Sequence, residues 1–68
     1  MEYQLENVSA KYDLTDDQQR VAYAEEVSAL IAGLDNAVER EIYTGRAAER
    51  AGISREALQL EVQRAAKR

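Results

Sequence analysis

The sequence contains no cysteine and no histidine. The chain therefore lacks thiol chemistry, the usual zinc ligand sets and the side chain that most often serves as a general base. No disulfide can stabilise the fold either. These absences weigh against a catalytic, metal or cofactor site and favour a binding or structural role.

Long apolar runs are also missing. No stretch approaches the roughly 20 apolar residues that a membrane-spanning helix needs, and the N-terminus does not join a basic start to an apolar run as a secretory signal does. We therefore expect a cytoplasmic protein with no membrane partner.

The chain has no proline and only three glycines, and residues that favour helices dominate it. No fixed repeat, low-complexity tract or dividing linker is present. Its 68 residues are enough for one small domain, which buries only about 60% of the surface exposed by the unfolded chain. We predict an all-α fold, a small bundle of three to four helices with short loops that spans residues 1–68 as a single domain.

Two amphipathic helices are predicted in the first half. The spacing of Leu5, Val8 and Tyr12 predicts a helix over residues 2–12. Thr15 is the predicted N-cap of a second helix that begins at about Asp16. This helix is expected to end near Gly33, in a left-handed C-terminal position. Its predicted inner face consists of Val21, Ala24, Val27, Ile31 and Leu34, with Tyr23 and Leu30 beside it.

Two further helices are predicted in the second half. Asn36 caps a third helix, which ends at Gly52. Glycine inside a helix costs about 1 kcal/mol relative to alanine, so Gly45 either allows a close helix contact or is merely tolerated. Ser54 caps the fourth helix, and Ile53 is expected to pack beneath its first turn. The predicted inner faces are Val38, Ile42, Gly45 and Ala48 on the third helix, and Leu58, Val62 and Ala65 on the fourth.

Charge is distributed unevenly. Residues 1–34 carry seven acids and two bases, whereas residues 35–68 carry six acids and seven bases, for a net charge of -4. The acidic half disfavours general nucleic-acid binding. Arginine is enriched at protein interfaces, so four arginines of the second half are candidate partner contacts, with a solvated helix face as the alternative. They are Arg40, Arg46, Arg50 and Arg55.

The stretch AAERAGISREAL, residues 47–58, has features of a helix-turn-helix corner. Ala48, Gly52 and Leu58 match the small residue, turn glycine and apolar anchor of that motif. The fourth helix fits a DNA reader less well, because Glu56 and Glu61 on its exposed face would meet phosphates or base edges. A stand-alone helix-turn-helix DNA-binding protein is the alternative interpretation, and a bundle corner is favoured.

Other clusters have structural interpretations. Asp13, Asp16 and Asp17 lack the ligand alternation and central glycine of an EF-hand loop, so helix capping is favoured over a cation site. Glu25 and Glu26 are interpreted as a solvated helix face. The four tyrosines are expected in the core rather than stacked on bases.

Four segments taken together resemble a known family. KYDL leads into a helix cap, a long helix ends in LIAGL, and VEREIY and AAERAGIS follow, with EAL after one further residue. Over residues 11–62 this order and spacing resemble the helical segment that follows the catalytic (Toprim) subdomain of bacterial DNA primase. Ala37 departs from the proline often found there, which affects only the pre-organisation of the helix start.

The resemblance implies a fragment of a larger primase, the enzyme that makes short RNA primers at the replication fork. The corresponding segment is associated with binding the replicative DNA helicase, and we expect it to support the polymerase region. The family's catalytic acids, its magnesium and its zinc ligands match nothing here, so nucleic acid would be bound by the rest of the enzyme. A small regulatory or antitoxin-like partner protein is a third interpretation, which no motif supports.

Overall fold

The computed structural model describes residues 2–67, with the side chains of residues 3–67, and they form four helices with short connections. α1 spans Glu2–Lys11, α2 Asp17–Ala32, α3 Ala37–Ala51 and α4 Arg55–Lys67. No strand occurs within residues 2–67. The predicted all-α bundle is confirmed.

α2 is the central helix. It packs against each of the other three helices, and α3 and α4 also pack against each other. Among the side chains of residues 3–67, eleven buried hydrophobic ones form the core cluster, and all four helices contribute to it. They are Leu5, Val8, Tyr23, Ala24, Val27, Ile31, Ala47, Ala48, Ala51, Leu58 and Val62.

Two predicted helix starts are confirmed. The Asn36 side chain accepts a hydrogen bond from the Glu39 backbone N–H at 3.0 Å. The Ser54 hydroxyl oxygen accepts one from the Ala57 backbone N–H at 3.1 Å. Each bond satisfies a donor that has no partner within the helix.

The predicted N-cap of α2 is wrong by one residue. Asp16, rather than Thr15, accepts a hydrogen bond from the Gln18 backbone N–H at 2.9 Å. Thr15 instead turns its hydroxyl to the Asp13 carboxylate at 2.6 Å. The Thr15 hydroxyl is therefore engaged by Asp13 in the preceding turn, and Asp16 caps the helix instead.

The two interhelical glycines differ in backbone conformation. Gly52 ends α3 with φ at 68°, in the left-handed region that favours glycine. Gly33 ends α2 with φ at -77°, so the left-handed conformation predicted there is wrong. Its N–H donates to Leu30 O at 3.2 Å, and a right-handed turn is sufficient to close α2.

The predicted inner face of α1 is confirmed, and so are Leu58 and Val62 of α4, whereas Ala65 is only half-buried. On α2, Ala24, Val27 and Ile31 are buried as predicted, but the edge of the buried face differs, and the buried face of α3 is rotated. Val21 on α2 is 58% exposed, while Tyr23, predicted beside the stripe, is fully buried. On α3, Val38 and Ile42 are 65% and 46% exposed. The buried face of α3 consists of Thr44, Ala47, Ala48 and Ala51. These side chains are small, so α3 can pack closely against the other three helices, which supply the bulky core residues.

The tyrosines do not all lie in the core. Tyr23 is buried and its ring meets that of Tyr12 edge-to-face, with 6.4 Å between centroids. Tyr12 and Tyr43 are half-buried, but Tyr3 is 76% exposed near the start of α1, so its predicted burial is wrong.

Candidate functional site

The four candidate arginines do not form one cluster. Arg40 donates from Nη1 to the Leu34 carbonyl and so ties α3 to the preceding loop. Arg50 faces α1, where its Nη1 lies 3.0 Å from Ser9 Oγ and its Nη2 lies 3.8 Å from Glu6 Oε1. Both side chains therefore already serve contacts within the bundle.

Arg46 and Arg55 line a single cleft between α3 and the start of α4, which we call the α3–α4 cleft. The Arg46 guanidinium carbon lies 5.7 Å from the centroid of the Tyr43 ring, within range of a cation–π interaction. Arg55 Nη2 donates to the Glu41 carbonyl at 3.2 Å. The cleft has a volume of about 530 Å³, and its lining includes Ile42, Gly45, Arg46, Glu49, Ile53 and Arg55.

The glycine inside α3 lies against the guanidinium of Arg55, the first residue of α4. A Cβ built on Gly45 would lie 2.5 Å from Arg55 Nη2 and 3.1 Å from its guanidinium carbon. The guanidinium therefore rests on the backbone of α3 at the one position where that helix has no side chain.

The glycine corner between α3 and α4 is a Schellman motif. The Gly52 N–H donates to Glu49 O at 3.3 Å, and the Ile53 N–H donates to Ala48 O at 3.0 Å. Arg20 of α2 donates from Nη2 to the Gly52 carbonyl at 3.0 Å. The corner is thus fastened to the central helix.

The outer face of α4 is electrostatically mixed. Glu56 is exposed, and Glu61 is half-buried with its Oε1 3.0 Å from Arg64 Nη1. A helix that reads DNA must place its exposed face against closely spaced phosphates. Carboxylates on this face are a poor match for that use.

A second groove, which sequence reasoning missed, lies between α2 and α4. It has a volume of about 590 Å³, with the exposed Val21 on one wall. Its rim carries two ion pairs, Arg20–Asp17 and Arg64–Glu61. The only sequence signal for it was Val21, which the predicted stripe assigned to the core.

Glu26 connects α2 to the end of α1, so its assignment to a solvated face is wrong. Its carboxylate accepts hydrogen bonds from Lys11 Nζ and, at 2.7 Å, from the Tyr12 hydroxyl. These bonds lower the pKa of Glu26 below its ordinary value of 4.5, and Lys11 contributes the larger part. The bond to Glu26 also raises the pKa of both Lys11 and Tyr12.

Carboxylates elsewhere have structural partners. Asp16 caps α2, and the hydroxyl and backbone N–H of Thr15 lower the pKa of Asp13. Among the side chains of residues 3–67, no group of three or more potential ligands is arranged to hold a metal ion. No helix within the described range is long and apolar enough to cross a membrane.

One comparison with known families decides the assignment. A family model described as the DnaB-helicase binding domain of primase matches residues 1–56. The chain belongs to this family. No curated protein and no solved structure matches it.

The family assignment confirms the resemblance to primase and names its partner. This primase domain binds the DnaB replicative helicase and belongs to DNA replication. The matched range contains α1, α2, α3 and the first two residues of α4. It thus includes all four candidate arginines and the contact between Gly45 and Arg55.

Proposed function

We propose that this chain is a non-catalytic, helicase-docking segment of a larger DNA primase. The observation that carries the proposal is the family match over residues 1–56. The absence of cysteine and histidine supports a binding role, because the chain lacks the commonest general base and thiol nucleophile.

Within the larger enzyme, we propose that the bundle supports the polymerase region and offers one face to the helicase. By resemblance, primer synthesis, template binding and the magnesium and zinc sites belong to other parts of the primase. The enzyme would then act in the cytoplasm, at the replication fork.

We propose Arg40, Arg46, Arg50 and Arg55 as contacts with the helicase, with unequal contributions. All four already make contacts within the bundle, Arg40, Arg50 and Arg55 through hydrogen bonds and Arg46 with the Tyr43 ring, so a partner would have to share or displace those contacts. Arg46 and Arg55 line the α3–α4 cleft, beside the exposed apolar side chains of Val38 and Ile42 on the same helix. This combination of arginine and exposed apolar surface is typical of protein interfaces.

The docking proposal is tested by mixing the primase that contains this segment with its cognate replicative helicase. We expect a complex in analytical ultracentrifugation, and removal of residues 1–68 from the primase should weaken it. No complex with the longer primase would contradict docking. The isolated segment, given template, nucleotides and magnesium, should make no primer, and primer synthesis would contradict the non-catalytic assignment.

Sequence-specific DNA binding is a second candidate function, because Ala48, Gly52 and Leu58 match the helix-turn-helix pattern. Binding of the segment to one duplex sequence at physiological salt, much tighter than to unrelated duplexes, would favour it over helicase docking. We expect only weak binding without sequence preference, because Glu56 and Glu61 lie on the face that would meet DNA.

A further inference from the structure

Gly45 and Arg55 meet in the α3–α4 cleft, and each is unfavourable for the helix in which it lies. Gly45 lies in the interior of α3, where glycine weakens a helix. Arg55 is the first residue of α4, where the positive end of the helix dipole repels a cation. Such departures from local preference concentrate at functional or strained sites, and these two are in direct contact.

The contact depends on both residues. Any side chain at position 45 would begin with a Cβ 2.5 Å from Arg55 Nη2 and 3.2 Å from its Nε. The guanidinium would then have to shift from its place on α3, where it donates a hydrogen bond to the Glu41 carbonyl. Gly45 is therefore a positioning residue for Arg55.

Arg55 retains donors for a partner. A guanidinium has five N–H groups, and the bond to Glu41 O uses one of them. Among the side chains of residues 3–67, no carboxylate forms an ion pair with Arg55. The remaining N–H donors lie in the plane of the guanidinium, whose orientation the bond to Glu41 O fixes. This arrangement suits bidentate binding of a carboxylate.

Apolar surface surrounds this fork. Ile42 and Ile53 line the cleft with Arg55. Ile42 is 46% exposed, and Val38, one turn earlier on α3, is 65% exposed. A ligand that reaches Arg55 would therefore gain apolar contacts at the same time.

We propose that the α3–α4 cleft binds an acidic side chain of a protein partner, flanked by an apolar side chain that covers Ile42. The partner is the replicative helicase, so the inference rests on the proposed docking function. Arg55 binds the partner carboxylate, and Gly45 holds the guanidinium in the binding orientation.

The surrounding charges favour a protein carboxylate over nucleic acid. Glu41, Glu49 and Glu56 are exposed beside or near the cleft, and the chain has a net charge of -4. A phosphate backbone would bring successive negative charges against these carboxylates. A single carboxylate can approach the guanidinium alone.

The experiment uses the primase that contains this segment and its cognate helicase. Four variants are compared with the wild type: Gly45→Ala, Arg55→Ala, the two combined, and Gly33→Ala as a matched control. Gly33 has a right-handed backbone, and its added Cβ would come no closer than 3.4 Å to a neighbour. The readouts are the Kd for the helicase, the Kd for a DNA oligonucleotide and the Tm of each variant.

We expect Gly45→Ala and Arg55→Ala each to raise the Kd for the helicase about tenfold. The double variant should bind no more weakly than Arg55→Ala alone, because Gly45 acts only through Arg55. Gly33→Ala should bind like the wild type. Gly45→Ala should not lower the Tm, because alanine favours the helix, so its weaker binding would not result from unfolding.

Three outcomes would overturn the inference. The first is helicase binding by Gly45→Ala or Arg55→Ala within about twofold of the wild type, since an anchor contact contributes more. The second is additive losses in the double variant. The third is a loss of DNA binding with helicase binding unchanged, which would make the ligand nucleic acid. If the wild-type primase itself does not bind the helicase, the docking function fails as well, and this result is distinct from all three.

Discussion

Tyr12 and Tyr23 share an edge-to-face contact, but their hydroxyl groups have different surroundings. The Tyr12 hydroxyl donates to Glu26 at 2.7 Å. The Tyr23 hydroxyl is buried and has no hydrogen-bond partner within residues 3–67. Burial raises the pKa of Tyr23, and the nearby charge of Arg50 opposes this effect.

Replacing Tyr23 with phenylalanine should therefore stabilise the bundle. The ring and its packing remain, while a buried group without a partner is removed, so we expect a gain of up to about 1 kcal/mol in the free energy of unfolding. Urea denaturation followed by circular dichroism measures it. A loss greater than 1 kcal/mol would show that the hydroxyl makes a stabilising bond.

Tyr12→Phe is the matched comparison at the neighbouring ring. It removes one hydroxyl from a bond to a carboxylate, and we expect a loss of about 1 kcal/mol in the same measurement. If Tyr12→Phe and Tyr23→Phe changed the free energy of unfolding equally, the two hydroxyl groups would not differ in their surroundings as described.

The carboxylate of Glu26 makes stability depend on pH. Because its pKa in the folded chain is below the ordinary 4.5, its contribution is present above that value and is lost as the pH falls through the folded pKa. Glu26→Gln should flatten the fall in Tm on the acid side, leaving the part due to Asp13, whose pKa is also lowered. The control is Glu25→Gln at the exposed neighbouring position, and an unchanged acid limb in Glu26→Gln would contradict this role.

At the level of the elements, the two interhelical glycines should respond to alanine in opposite directions. At Gly52 the backbone is left-handed, so Gly52→Ala should lower the free energy of unfolding by about 1 kcal/mol or more. At Gly33 the backbone is right-handed, so Gly33→Ala should raise it by about 0.4–1 kcal/mol through the lower entropy of the unfolded chain. Thermal unfolding of both variants tests this difference, and a change in the same direction would contradict it.

The four helices and several of their ends could be predicted from the sequence because these depend on neighbouring residues. Asn36 and Ser54 cap with their own side chains, and Gly52 supplies its own backbone freedom. The buried faces of α2 and α3 could be predicted only in part. Whether Val21 or Tyr23 points inward depends on which neighbours surround α2, and that is a property of the packed bundle.

For the candidate site, the sequence indicates which residues to consider but not which residues they contact. The sequence offers the arginines as candidate contacts and allows a close contact at Gly45. It could not show that Arg55 contacts Gly45, because nine residues and a corner lie between them. Nor could it show that Arg50 faces Ser9 of α1, because such pairings depend on how the helices cross.

At the scale of the whole molecule, the family match ends at Glu56, whereas the core continues into α4. Leu58 and Val62 lie beyond the matched range, yet Leu58 is fully buried and Val62 is 7% exposed. The bundle as it stands therefore depends on α4 to cover the central helix.

Leu58→Ala should test this dependence against Leu60→Ala on the same helix. Leu58 is fully buried and Leu60 is 62% exposed, so the same chemical change is made inside and outside the core. We expect Leu58→Ala to lose about 2–4 kcal/mol, most of the few kcal/mol available to so small a domain. Leu60→Ala should change stability by no more than about 0.5 kcal/mol. Denaturation of the 68-residue chain followed by far-UV circular dichroism measures both, and equal small losses would contradict the dependence on Leu58.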